Sequence, residues 1–289
     1  MPYTPGAVLD GLQATLGGVA LGAVDTAGVA WYLQSLEGWD SPDVRSEWTE
    51  REGDHGAWAS PVYLGARPIT LGGTIVAPSR ALLEQAMDQV RVAAGLADTV
   101  LTVWETVPKQ ATVRRSGKPL MQYLTDTTAT YSVMVTAADP RRYATAVQSL
   151  TTGLPAVTGG LTLPAATPWL LSASVTDGQV QAVNQGDFET RPVLTVTGPV
   201  TAPQIQAQMP DGSLRTMSYA QDLADGDVLV IDTDAHAVTL NGNVSRRRFL
   251  TVPSGWPVIP AGSATSFLFR SSTYNPTATL TATWRSAWQ

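Results

Sequence analysis

Ten consecutive residues, Thr128 to Ala137, alternate without interruption. Ala129, Tyr131, Val133, Val135 and Ala137 fall on one side, and Thr128, Thr130, Ser132, Met134 and Thr136 fall on the other. A period of two over that length is a strand with one face on a core and one on solvent, so a sheet must exist to receive it. The pattern then stops at Ala138-Asp139-Pro140-Arg141-Arg142-Tyr143. Pro140 has no amide to donate to a ladder and biases Asp139 toward an extended or turn conformation.

The rest of the chain agrees with a β reading. Of 289 residues 44% are hydrophobic and only 15% charged, and abundant Thr, Val, Gly and Pro combine strand formers with turn formers. The length exceeds one typical domain. The expected fold class is mainly β with one amphipathic helix: an N-terminal β-sandwich-like domain over 1–150, a linker over 151–168, and a C-terminal β-sandwich over 169–289. The linker rests on Thr151 to Pro168, which is rich in Gly and Pro and has no charge.

The helix is expected over 79–95, where Leu82, Leu83, Ala86, Met87, Val90 and Ala94 recur at helical spacing behind a Ser79 N-cap and before Gly95. Strands are expected before it, through Ile69, Leu71 and Ile75, and after it, over 99–107. Residues 109–124 read as a hairpin about Ser116-Gly117-Lys118-Pro119. Residues 39–58 lack periodicity and carry many acids, so they read as a long exposed loop. Beyond 168, nine short segments alternate between Gly, Asp and Pro turns, from QVQAVNQ through RPVLTVTG, APQIQAQM, LRTMSYA, DVLVIDT, AVTLNG, RRFLTV and SFLFRSS to ATLTATWR.

Chemistry is sparse. With no cysteine there is no disulfide, thiolate site or Cys nucleophile. The two histidines, His55 and His236, have no partner at metal-ligand spacing. HExxH, G-x-S-x-G and Walker A patterns are missing, and GGVALG at 17–22 neither follows a clear strand nor opens a helix. Asp222, Asp225, Asp227, Asp232 and Asp234 crowd one stretch but lack EF-hand spacing. Catalytic, cofactor and metal residues are therefore assigned to none.

The net charge is −6. Arg246-Arg247-Arg248 reads as charge blunting an edge strand rather than a nucleic-acid patch. The first basic residue is Arg45, so no signal peptide or membrane anchor is expected, and a cytosolic folding compartment fits. Nine tryptophans are many. Trp31, Trp39, Trp48 and Trp58 bunch in the irregular N-terminal region and suit a protein interface, whereas Trp256, Trp284 and Trp288 adjoin strands and suit packing.

The Ala138–Tyr143 strand ending resembles that of the N-terminal domain in distal tail proteins (Dit) of long-tailed, non-contractile bacteriophages, particularly those of actinobacterial hosts. Leu36-Glu37-Gly38-Trp39, Ser41-Pro42-Asp43-Val44-Arg45, Gly65 to Gly73, Asp225-Gly226-Asp227 to Ile231-Asp232, and Pro257 to Gly262 with Phe267 and Trp284 follow in the family's order. The resemblance implies an N-terminal ring-forming domain and a galectin-like or carbohydrate-binding-module-like C-terminal sandwich. It further implies a hexameric homo-oligomer in the virion tail tip, assembled in the host cytoplasm. The implied partners are the tail tube protein, the baseplate hub or tail-associated protein and the tape measure protein, with DNA passing through the lumen unbound. No enzyme activity is implied. The expected subunit-interface residues are Trp39, Trp48, Trp58, Arg114, Arg115, Arg141, Arg142 and Tyr143. For Arg141 and Arg142 two roles stay open, a local turn or a reach toward carboxylates of a neighbouring subunit. A second function also stays open, in which the C-terminal sandwich holds a cell-wall glycan.

Overall fold

Thr128–Ala137 is a strand, with its odd-numbered side chains buried and Met134 exposed on the other face. It sits in a computed structural model that describes residues 12–159 and 173–289. The chain divides into two units between Thr145 and Ala146.

In the first unit an antiparallel ladder runs Val19–Leu21, Ala14–Leu16, Thr99–Val103, Lys109–Arg115, Thr128–Ala137, Arg67–Val76, Ala30–Glu37. Its ends meet: Gly22 N donates to Trp31 O and Trp31 N to Ala23 O, each at 2.8 Å. The sheet thus closes on itself, which removes two exposed edges. Inside lie Ile69, Leu71, Ile75, Leu101, Val103, Val133 and Val135. The helix Arg80–Ala93 covers this core with Leu83, Ala86, Met87, Val90 and Ala93, and a fully buried leucine such as Leu83 contributes about 2 kcal/mol. Ser79 caps it as expected, its hydroxyl accepting from Leu82 N at 3.4 Å. At the other end the helix stops two residues before Gly95, because Ala94 leaves helical geometry while its N–H still bonds to Val90 O.

Three local readings change. The strands Lys109–Arg115 and Leu120–Tyr123 do not pair with each other; both run antiparallel to Thr128–Ala137, through Arg114↔Thr136 and Leu120↔Ser132. Ser116 to Pro119 interrupts one edge, and the reversal comes later, where Leu124 N bonds to Thr128 O at 2.9 Å. The 39–58 segment is not irregular throughout, since Val44–Arg45 pairs with Tyr63–Leu64 and Trp48–Glu50 with Ala57–Ala59. Residues 44–64 thus form a two-tier hairpin arm. Finally, Gly17 and Gly18 turn a tight hairpin between Ala14–Leu16 and Val19–Leu21, with φ of +53° and +91°. That pair of positive φ angles suits the right-handed strand twist and favours glycine.

The second unit is two packed antiparallel sheets. One runs Gln148–Gly153, Thr279–Trp284, Val193–Thr197, Val228–Asp232, Ala237–Leu240, Val244–Ser245; the other runs Gln179–Val183, Ala264–Arg270, Gln204–Gln208, Leu214–Tyr219, Leu250–Thr251. Leu194, Leu229, Ile231 and Leu280 from the first meet Ile205, Met217, Phe267 and Phe269 from the second. Thr151 to Gly153, read as the start of a linker, belong to a strand because Leu150 to Gly153 find partners in Ala282 to Thr279. Residues 160–168 of that linker fall outside the described residues. The RRFLTV segment opens as a 3-10 turn, Arg247–Phe249, before its short strand.

Trp284 donates from its indole to Val183 O at 2.8 Å, joining the two sheets. Asn184 is buried at the base of the sandwich. Its Nδ2 donates to Phe188 O, Ile259 O and Pro260 O, and its Oδ1 accepts from Gly186 N and Ala287 N.

Candidate assembly surfaces

The residues after the Thr128–Ala137 strand converge on Arg67, the first residue of the neighbouring strand. Arg67 shares the inward parity of Ile69 and Leu71, and its side chain is fully buried. Its Nε donates to Pro140 O at 2.9 Å, and Nη1 donates to Trp39 O and Gly38 O. Nη2 has no partner. The guanidinium therefore reads the backbone of two loops. Burial lowers its pKa to about 10, with Arg142 adding to the depression and Asp40 and Asp139 opposing it. Arg67 lies within the Gly65 to Gly73 stretch, where only its parity signals an inward side chain.

Trp39 is 2% exposed and lies in the first unit's core, and Trp31 is buried in the same core, opposite Ile75 at the far end of the neighbouring strand. The Trp39 indole donates to Glu105 Oε1 at 2.6 Å. Glu105 also receives Lys109 Nζ on Oε2 at 2.5 Å and lies 3.9 Å from Arg142. Burial pushes the Glu105 carboxyl up, but Lys109, Trp39 and Arg142 together outweigh it and hold the group below the ordinary carboxylate range. The Arg142 guanidinium lies 5.5 Å from the Trp39 ring centroid.

Asp139 closes the turn. Tyr143 Oη donates to Asp139 Oδ2 at 2.6 Å, and Arg141 donates to Oδ1 from both its backbone N and Nη1. The side chains of Arg141 and Arg142 are each only 11% exposed. Within this one chain the Asp-Pro-Arg-Arg-Tyr segment therefore has an internal task, fixing where the strand ends.

Trp48 and Trp58 lie elsewhere, on the hairpin arm, and are 65% and 66% exposed. Val44, Val62 and Tyr63 are exposed on the same arm. Arg51 sits 4.4 Å over the Trp58 ring, and the Trp48 indole donates to Ser46 Oγ at 3.2 Å. Glu47, Glu50, Glu52 and Asp54 make the tip acidic. A two-stranded ribbon with large uncovered aromatics is marginal alone and gains by lying on another surface.

Arg114 is exposed and pairs with Asp98 at 2.8 Å, while Arg115 is half-buried beside it. Leu120, Tyr123, Leu124 and Met134 expose apolar surface on the same edge. A cleft of about 670 Å³ lies between the Gly17-Gly18 hairpin, Val24, Trp31 and the helix face of Gln85, Gln89 and Val92. Its lining is mostly apolar and amide, with Asp25 and Asp88 as its acids. Among the described residues no group of three His, Cys, Asp or Glu is arranged to hold a metal ion, and no helix is long and apolar enough to cross a membrane.

A closed ladder with one covering helix and an exposed aromatic arm in one unit, and two packed sheets in the other, define a mainly β protein whose prominent surfaces suit contact with other chains. Residues 185–288 match the family model described as the siphovirus-type tail component, C-terminal domain. The crystal structure of SPP1 Dit (gp 19.1), described as a paradigm of the hub adsorption apparatus in phages infecting Gram-positive hosts, has the same fold. Its TM-score is 0.65 at 12% identity, over 96% of this chain and 99% of that one. A chain of the phage P2 baseplate, in its activated conformation with Ca, matches at TM-score 0.50 and 9% identity, over 94% and 97% of the two chains. No curated protein matches the chain in sequence. Residues 185–288 are thus similar in sequence to a siphovirus-type tail component domain, and the chain as a whole shares its fold with SPP1 Dit.

Proposed function

We propose that this chain is a structural, non-enzymatic protein of a phage tail tip, in which copies close into a ring, six in number, between the tail tube and the baseplate hub. The observation that carries this reading is the 44–64 arm. It projects Trp48 and Trp58 from a ribbon without a core of its own, and a neighbour's surface would give those rings the cover that the first unit does not. Head-to-tail contacts between identical chains close when the rotation divides the circle. The acidic arm of one copy and the edge carrying Arg114, Arg115, Leu120 and Tyr123 on the next are complementary in charge and share apolar surface. The tube, hub and tape measure proteins are the partners of this ring, which assembles in the host cytoplasm and becomes part of the virion. The chain's net charge of −6 suits a lumen through which DNA passes without binding.

Sedimentation and particle imaging of the purified chain, alone and with tube and hub proteins, test this. A closed ring that Trp48→Ala/Trp58→Ala reduces to single subunits is expected. A chain that stays a monomer with both partners present, or a ring indifferent to the double substitution, removes the reading.

A further inference from the structure

In the second unit, Val244 to Thr251 crosses from one sheet to the other. Val244–Ser245 pairs with the edge strand Ala237–Leu240, and Leu250–Thr251 pairs with Leu214–Tyr219. The crossing carries Arg246, Arg247 and Arg248. None of the three has a carboxylate at ion-pair distance among the described residues, whereas Arg191 on the same unit pairs with both Glu189 and Asp234. Unneutralised arginines are unexpected on an acidic chain.

Aromatic rings hold them instead. Arg248 lies 4.5 Å and Arg246 5.7 Å from the Phe249 centroid. Arg247 lies 5.0 Å from Trp256, on which His236 also stacks at 4.6 Å and 8°. Arg247 spends Nη1 on Leu250 O at 2.8 Å, and Arg215 donates Nη1 to Trp256 O, steadying the ring. Cation–π contact orients a guanidinium without cancelling its charge, and leaves N–H edges for an in-plane acceptor. The Arg246 Nε is buried without a partner. Asp227 offsets Arg246 in part, since that arginine is one of the lesser causes, after Asn241 and Ala224, that lower the Asp227 carboxyl. Arg247 and Arg248 are exposed and carry no such offset.

The surface selects its ligand by what it lacks. Both rings are already covered, so the rim offers no open aromatic anchor, and protein interfaces concentrate their energy in such anchors. Three adjacent cations are fewer than the roughly 6–10 phosphate contacts of a strongly salt-dependent duplex binder. Beside the arginines stand exposed Asn243 and Ser245, neutral groups suited to hydroxyls. Cations flanked by an amide and a hydroxyl match a chain in which anionic groups are spaced by hydroxylated, uncharged stretches.

We propose that this rim binds an anionic saccharide chain, whose carboxylates or phosphates take the Arg247 and Arg248 guanidiniums. The site is independent of ring closure. Titration calorimetry on the full chain, with polygalacturonate, a glycerol-phosphate polymer, neutral dextran and duplex DNA, tests it at low and high salt. Binding to at least one anionic polymer, lost at high salt and weakened at least about tenfold by Arg247→Ala/Arg248→Ala in a chain that still unfolds cooperatively above the assay temperature, is expected. The polymer that binds distinguishes phosphate from carboxylate. Arg247→Lys/Arg248→Lys should recover part of the affinity, since it restores charge but not the planar fork. Equal affinity for dextran, no binding to either anionic polymer, indifference to the double alanine variant, or tighter binding of duplex DNA each overturns the proposal.

Discussion

The Arg67 Nε donates to the carbonyl of Pro140 at 2.9 Å, tying the start of one strand to the turn that ends its neighbour. The two residues are 73 apart in sequence. Through the same guanidinium, Gly38 and Trp39 are held on a second loop. One buried cation therefore sets both the end of the central strand pair and the root of the loop that leads into the exposed arm.

Arg67→Met should destabilise the first unit by about 2–3 kcal/mol, measured by urea unfolding. Three carbonyls lose a charged donor, a loss only partly offset by relief from burying the charge. That relief is real, because burial already lowers the guanidinium pKa to about 10. Arg67→Lys should do little better, since an ammonium has no planar fork to span both loops. A variant as stable as the parent would show that the loops hold without it.

Glu105 makes stability depend on pH in a definite direction. Its folded pKa lies below the ordinary value of about 4.5, so the unfolded chain takes up the proton first as pH falls. The contribution is complete above the unfolded pKa and is lost as pH drops through the folded one. Glu105→Gln keeps an acceptor for the Trp39 indole but removes the charge facing Lys109 and Arg142. It should cost about 1 kcal/mol at neutral pH and nothing in strong acid, flattening that part of the pH–stability curve. An acid limb unchanged from the parent's would assign the titration to other groups.

Alternation and turn residues carried most of the second unit. Each of the nine segments read from sequence contains a strand, because inward Leu194, Ile205, Leu229 and Phe267 follow the period that the core demands. Pairing was harder. Ser116 to Pro119 has hairpin chemistry, yet the Thr128–Ala137 strand, longer and more regular, captures both flanking strands. The arm at 44–64 lacks periodicity because neither of its faces packs on a core, so no hydrophobic pattern could announce it. Of the residues proposed for contacts, Trp48 and Trp58 stand exposed, whereas Trp39, Arg141, Arg142 and Tyr143 serve the fold of one chain. Sequence offers no rule separating two tryptophans nine residues apart when one is buried and the other is not. Arg67 was legible only through parity, as a charged residue where the strand's inward face required an apolar one.

Asn184→Ala should lower the stability of the second unit by about 3 kcal/mol, read from its unfolding midpoint. The amide serves five backbone groups, of which Gly186 N and Ala287 N would lose their acceptor and Phe188, Ile259 and Pro260 O a donor. Each buried group left without a partner costs about 1 kcal/mol or more. Asn184→Asp isolates the donor half, since a carboxylate accepts from Gly186 and Ala287 but repels the three carbonyls. A loss at least as large as that of the alanine variant is expected. Little change in either would mean that water replaces the amide.

Gly73 and Gly72 stand next to each other in the Arg67–Val76 strand and should respond very differently to alanine. A Cβ on Gly73 would sit 1.9 Å from Tyr32 O and 2.7 Å from the Tyr131 hydroxyl. Neither neighbour is free to yield. Tyr32 O belongs to the adjoining strand, and the Tyr131 hydroxyl already donates to it at 3.2 Å. Burial pushes the Tyr131 phenol well above its ordinary pKa, so it stays a neutral donor in that bond. A Cβ on Gly72 would instead meet Ser35 Oγ at 2.5 Å, a single hydroxyl that can rotate away. Gly73→Ala should therefore separate the Ala30–Glu37 strand from its partner and cost about 3 kcal/mol or more, whereas Gly72→Ala should cost about 1 kcal/mol at most. Amide exchange on Leu33 and Ser35 would report the separation directly. Equal unfolding midpoints for the two variants would mean that the strand shifts to accept the methyl group, and that the close approach at Gly73 is not what sets the register.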